Sequence, residues 1–432
     1  MPFEELKFPA GNHLLARWQA NDPQATKRLK DIMDATIKGQ YDEIFKRPAP
    51  QDAVHVAGPV DLMTLTIMYR LYGVTAAKFY KEDPERFVRT SLMTQKLLGL
   101  PKLYISWPVY GFTAEALGQT MIYSDEYSPG TDPDMPLANP GNWQDVATPD
   151  MNTGIPKVLD ETLTCYKRLT GLNPVLHLSA PYSLAADIYG QEPIINALTH
   201  EPEFVNRFLD YLADTVLAPW MDHFFRQHPN GWVELSDASG SPFFIGPQNC
   251  KNIAIRSIQR LIAANPWGNR VYDANYRGDY VTQVSKGNSS TSRRSRRPVR
   301  KSPEQLGLVE LFELKNSVCR DYVIRLADDR TPVSFYVEQA IKYNIPLFIG
   351  IGATQVDRNS IADLELSKQE IKSTASEYVE AIKTVAQTIA GNGYDSRELP
   401  WPGTVYFEDI SAESSFDLIE IIVAITLKYG AL

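Results

Sequence analysis

The stretch "NRVYDANYRGDY" (269–280) opens as an apolar strand would and turns within a few residues to Asp273, Asn275, Arg277 and Asp279. Upstream, "WVELSDAS" (232–239) does the same at Asp237. Two carboxyls held close together either share a proton, with one pKa raised, or hold a cation or donor-rich ligand between them. Asp237 and Asp273 are therefore the candidate acid/base pair, and Asn275 the candidate hydrogen-bonding contact to a ligand. Arg277 either neutralises one carboxylate or bridges surface loops. His177, inside "PVLHLSA", reads as a satisfied core histidine or as a hydrogen-bond donor and proton carrier near the site. Glu115, in "TAEALG", reads as a helix-start carboxylate favoured by the helix dipole, or as a substrate contact from a loop edge. Trp107, Tyr110, Tyr182, Tyr272 and Tyr276 stand near strand ends, where such rings either pack or offer their faces to a cation. The glycines of "GSPFFIGPQNC" have neither P-loop nor dinucleotide spacing and read as a shaped loop over the acidic pair. Cys165, Cys250 and Cys319 are far apart and without CxxC spacing, which points to buried thiols and away from a disulfide framework or a structural zinc.

These residues fall at the ends of short β-like runs at 53–61, 102–111, 174–182, 232–239, 269–276, 321–329, 345–354 and 404–410. Helical stretches such as "PERFVRTSLMTQKLLGL", "EFVNRFLDYLADTVLAPWMDHFF" and "SEYVEAIKTVAQTIA" separate them. Strand then helix, eight times over, is the pattern of a (β/α)8 TIM barrel, an α/β fold whose chemistry sits at the C-terminal ends of its strands. Asp61, Asp237, Asp273, Asn275, Asp328, Asp329, Asp357, Glu408 and Asp409 gather at those ends, some as helix N-caps. A doubly wound open sheet has the same periodicity. Apolar spacing over 12–46 predicts an N-terminal helical cap, so residues 1–50 read as a helical extension and 51–432 as the barrel. The Pro-, Gly- and Asp-rich stretch 123–150 reads as a long loop of the lid or binding kind. "SKGNSSTSRRSRRPVRK" (285–301) reads as a flexible basic surface insertion, or as a docking site for an acidic partner or anionic ligand tail.

A net charge of −9 argues against general nucleic-acid binding. The first residues, "MPFEELKFPAGNHLL", lack a signal-peptide pattern and no apolar run reaches membrane-spanning length, so a cytoplasmic location with no membrane contact is expected. Oligomeric state is not readable.

Four stretches in order, "TAEALGQTMIYSDEYSPGT" (113–131), "HLSAPYSLAADIYGQEPIINALTHEPEFVNRFLDYL" (177–212), "SDASGSPFFIGPQNC" (236–250) and "EDISAESSFDLIEIIVAITLKYG" (408–430), resemble the uroporphyrinogen decarboxylase superfamily, most closely its methyltransferase-like branches. The resemblance spans roughly residues 100 to 430 and implies a (β/α)8 barrel. Departures from the family narrow what it implies. The decarboxylases' Arg-bearing "RQAGR" motif is replaced by "HLLARWQANDPQ", and the place of their catalytic aspartate reads Ser106-Trp107-Pro108. A substrate with many carboxylates needs a cationic cleft, whereas these strand ends are acidic. Where the zinc-dependent thiol methyltransferases carry His-x-Cys, this chain reads Asp273-Ala274-Asn275, and "SKQEIKSTASEYVEAIK" offers no later cysteine. No metal is therefore expected. No histidine stands in an Asp-x-His-x-x-Gly corrinoid motif, so a corrinoid would arrive on a partner protein.

The resemblance thus implies zinc-free methyl transfer between a small methylated donor, or tetrahydrofolate, and a partner-borne corrinoid, with no cofactor tightly bound. Asp and Asn at the mouth could pair with the donor edge of a pterin. A quaternary ammonium would want aromatic faces and carboxylates instead. A decarboxylase or lyase on a small carboxylic acid and a non-catalytic ligand-binding barrel remain as alternatives.

Overall fold

The computed structural model describes residues 6–46, 52–101, 103–263, 265–273, 308–319, 323–325, 332–393 and 403–432. Asn275, Tyr276, Arg277, Asp279, Asp328, Asp329 and the basic stretch 285–301 lie outside the described residues.

The strands are short because each is a brief apolar run closed by a polar or turn residue. They are β1 (His55–Ala57), the small antiparallel pair β2 (Met121–Ile122) and β3 (Gly130–Thr131), then β4 (Val175–Ser179), β5 (Trp232–Ser236), β6 (Val271–Asp273), β7 (Val323–Arg325), β8 (Leu347–Ile351) and β9 (Thr404–Phe407). All five residues of β4 and of β8 are buried, as both faces of a parallel sheet must be when helices cover one side. Two parallel arcs result, β4-β5-β6 and β7-β8-β9-β1. Each arc runs in chain order, and β9 lies beside β1, bringing the last strand to the first. Among the described residues no ladder joins β6 to β7 or β1 to β4. The described fold is thus mixed α/β with parallel arcs in barrel order, and a complete (β/α)8 ring is not seen.

The stretch 102–111 is the exception among the eight expected strands: its residues 103–108 carry no ladder, and a helix, Val109–Glu115, starts directly after Pro108. The cause is local. The Gln95 carboxamide takes the place of a neighbouring strand: its oxygen accepts from the Tyr104 N–H at 2.8 Å and its Nε2 donates to the Tyr104 carbonyl. With Pro101 and Pro108 at either end supplying no N–H, little is left to zip to a neighbour.

Helices begin and end where their chemistry allows. Asp22 and Asp83 cap helices that open with Pro23 and Pro84, a residue whose missing N–H costs nothing at that position. The N-terminal helices Ala10–Gln19 and Pro23–Ile37 pack on Pro84–Leu98, and the first also meets Phe416–Tyr429. The long loop 123–150 is tied to the helical layer. Trp143 packs edgewise on Phe204, Phe208 and Tyr211, and Thr148 donates to the Thr215 carbonyl. Pro219, four residues on, has no N–H to claim that carbonyl, and a wide π-type turn, Leu212–Leu217, precedes it.

Candidate active site

Parallel register aligns His177 with Glu234 and Glu234 with Tyr272, so these three share one face of the β4-β5-β6 arc. The next row, Leu178, Leu235 and Asp273, points the other way. That second face is the helical one: Asp273 meets Lys315, on the helix Leu308–Val318, at 3.3 Å, in a tiny cleft with Ile255, Ile258 and Cys319. The His177 row therefore looks away from the helices, into the space a barrel would enclose.

On this face the groups lock one another. The Tyr272 hydroxyl donates to one oxygen of Glu234 at 3.1 Å, while the other lies 3.3 Å from His177 Nδ1. Tyr104 and Trp107 set their rings nearly perpendicular to the imidazole, centroids 5.4 and 5.1 Å away. Yet among the described residues neither His177 nitrogen has a partner in hydrogen-bonding geometry, and Trp107 Nε1 and Ser179 Oγ are likewise buried without one. Buried polar atoms are rarely left so. The row thus presents an acceptor, two donors and a carboxylate to whatever enters.

At the end of β5, Asp237 turns toward the helix Pro181–Tyr189, where its Oδ1 accepts from the Ser183 hydroxyl at 2.8 Å and the Ser183 N–H at 3.2 Å. Gly240 crosses so close that a Cβ there would stand 2.3 Å from the carboxylate, which only glycine permits. Burial, reinforced by the charge on Asp273 and opposed by Ser183 and Lys315, pushes the Asp237 carboxyl up to about 6. Tyr182 is wholly buried, its hydroxyl without a partner among the described residues and its pKa raised by burial and by Asp237.

Across the fold, the segment Ser106-Trp107-Pro108 carries no acid of its own but holds one. Ser106 Oγ donates to Asp61 at 2.6 Å, and the Tyr80 hydroxyl donates to the other oxygen at 2.8 Å. Burial raises the Asp61 carboxyl, and the two hydroxyls pull it back down.

The structure gathers His177 and Trp107 into one cluster and puts Asp237 and Asp273 near Lys315, with Tyr182 beside Asp237. Glu115 stands apart: it ends, and does not start, the helix Val109–Glu115, and it is held by Lys81 at 2.8 Å and by the Tyr123 hydroxyl. Glu234 and Lys315 were missed because they sit inside elements, not at strand ends, and Tyr104 because it lies in a segment without a ladder. A glutamate at the centre of "WVELS" was the available signal, since a buried strand has no other use for a charge. Among the described residues no group of three or more His, Cys, Asp or Glu is placed to hold a metal ion, and no helix is long and apolar enough to cross a membrane.

No protein-family model matches the chain, and no curated protein matches it. Among solved structures, a methyltransferase from Methanosarcina mazei is similar over 91% of this chain and 97% of its own, with a TM-score of 0.57 and 13% sequence identity. At that identity the likeness is one of fold.

Proposed function

We propose that this chain is a methyltransferase-like enzyme of the uroporphyrinogen decarboxylase superfamily. It would move a methyl group between a small methylated donor or tetrahydrofolate and a corrinoid carried by a partner protein, on a closed (β/α)8 barrel. What carries the reading is the fold likeness, over nearly the whole of both chains, to a protein named a methyltransferase. The polar row gives that likeness a chemistry.

When a methyl group leaves oxygen or nitrogen as a cation equivalent, the atom it leaves keeps the electron pair and needs a proton or a hydrogen bond. His177 has the proton-carrying capacity, and Glu234 lies 3.3 Å from its Nδ1. Tyr272 fixes Glu234 by its other oxygen, and the Tyr104 and Trp107 edges hold the imidazole plane, so the proton sits at a defined place. The pterin of tetrahydrofolate is the ligand this reading puts here: its N–H edge wants acceptors, which Glu234 would supply, and its carbonyl wants donors, which Trp107 Nε1 and Ser179 Oγ would supply. A corrinoid, when bound on its partner, supplies the cobalt centre that takes or gives the methyl group. The decarboxylase reading calls for a buried arginine facing substrate, but Arg325 donates to Tyr378 at 2.8 Å, on the helix Leu364–Gly391.

The test is to follow the corrinoid spectrum while the protein is mixed with methylcobalamin and tetrahydrofolate, and separately with cob(I)alamin and methylated donors. Methyl transfer should convert one cobalt spectrum into the other, and His177→Gln should slow it by roughly a hundredfold or more. An unchanged spectrum with every pair would overturn the reading.

A further inference from the structure

Among the described residues the segment 103–108 joins no ladder, so side chains from other elements decide where it lies. Gln95 holds its start at Tyr104, and the Tyr166 hydroxyl donates to the Leu103 carbonyl at 3.1 Å. Its far end is held by Asp61. This residue opens the helix Asp61–Tyr72, and its two oxygens accept one hydroxyl each, Ser106 Oγ at 2.6 Å and Tyr80 at 2.8 Å. The Tyr80 ring is itself fixed by Phe79, Phe87 and Phe112, with centroids 4.9, 5.6 and 5.7 Å away. Asp61 thus has a rigid support on one side and Ser106 on the other.

Asp61 is 8% exposed and is paired with no cation among the described residues. A buried charge without a counter-ion costs more than a neutral hydrogen-bonded pair, so a carboxylate kept here points to a use. A carboxylate only accepts, so both hydroxyls must point at it, and neither can turn away without stranding the charge. Its field also reaches the polar row: burial, then the charges of Glu234 and Asp61, push the Tyr104 hydroxyl well above its usual range.

We propose that Asp61 is a positioning residue for His177. Through Ser106 it fixes the next residue, Trp107, whose ring centroid lies 5.1 Å from that of the imidazole, with the planes at 80°. The inference rests on the reading of His177 as the proton-carrying group, and it holds for any methyl donor.

The side-chain resonances of His177 in the full-length protein, followed by NMR, test this, since a displaced Trp107 ring changes its ring current at the imidazole. Ser106→Ala and Asp61→Ala should each shift them, and the double variant no further than the larger single shift, because the two residues act through one bond. Thr426→Val, which removes a buried hydroxyl from the helix Phe416–Tyr429, should leave them in place. If Asp61→Ala does not fold, Ser106→Ala, which leaves the aspartate in place, carries the test. In the corrinoid assay Ser106→Ala should lower kcat several-fold with KM little changed, as loss of alignment does. Unmoved His177 resonances in Ser106→Ala, shifts that add in the double variant, or an equal shift in Thr426→Val would each overturn the proposal. Resonances that move as expected in a protein that transfers no methyl group would instead overturn the function proposed above and leave the tie between Asp61 and His177 standing.

Discussion

Asp237 makes the energetics of a single buried carboxyl measurable. Its folded pKa is raised to about 6 by burial and by Asp273, against about 3.9 in an unfolded chain. The folded state therefore holds its proton more tightly, so the group's stabilising effect is complete below pH ~4 and is lost as pH rises through ~6. The loss is on the order of 3 kcal/mol. Asp237→Asn keeps an acceptor for the two Ser183 bonds and removes the titration. Urea melts should show the variant gaining on the wild type between pH 4 and 7, and a constant difference across that range would remove Asp237 as the titrating group. Asp273 behaves in the opposite way. Its carboxylate faces buried Lys315 at 3.3 Å, so Asp273→Asn takes that partner from a buried ammonium and should cost about 3 kcal/mol, as broken buried pairs do. Two neighbouring carboxylates alone would suggest relief of repulsion; Lys315 reverses the sign. Adding Lys315→Met to Asp273→Asn should restore most of the loss, and a double variant as unstable as the single would show that the pair is not what matters. The sequence placed Asp237 and Asp273 at strand ends but left their direction unread. Which parity of a three-residue strand faces the helices depends on its neighbour's register, and that is a property of two segments.

At the scale of elements, the sequence located seven of the strands through their apolar runs and polar ends, because a parallel strand buried on both sides has little other way to be written. It failed at 102–111 for a reason no run of residues displays. The partner of Tyr104 is the side chain of Gln95, fully buried in the last turn of the helix Pro84–Leu98. Gln95→Leu would retain the volume and remove both bonds, stranding a buried N–H and a buried carbonyl at roughly 1–3 kcal/mol each. The expected total is about 2–6 kcal/mol in urea denaturation, with hydrogen exchange at the Tyr104 amide accelerated in step. Full stability with an unprotected Tyr104 amide would mean that the segment is held by packing alone. The same segment carries Trp107 and Ser106, one against His177 and one holding Asp61, so the variant should also slow any turnover that depends on His177. Glu234 escaped notice in a similar way, being the one charged residue of a strand whose polar face points inward.

For the whole molecule, the two ends of the chain close on each other. Asn12, 1% exposed, donates from Nδ2 to the Phe416 carbonyl at 2.8 Å and to Glu420 at 3.1 Å. Gln19 donates to the Ala412 and Ser414 carbonyls at 2.6 and 2.9 Å. These bonds meet the start of the last helix, Phe416–Tyr429, just after β9 has paired with β1. The first helices also bury Leu15, Trp18, Leu29, Ile32 and Met33 against the rest, so the N-terminal segment, which the sequence showed only as an amphipathic extension, covers apolar surface at the place where first and last strands meet. Asn12→Ala and Gln19→Ala should each cost roughly 1–2 kcal/mol, near the value of a buried side-chain bond to a carbonyl. Their effects should exceed the sum when combined if both pin one helix start, since groups sharing one element couple. Removing residues 1–40 should do more, exposing the apolar sides of Pro84–Leu98 and Phe416–Tyr429 and abolishing a single cooperative melt. Calorimetry separates the outcomes. A truncated protein that melts once, at the wild-type temperature, would show that the extension is an appendage and that the strand arcs fold without it.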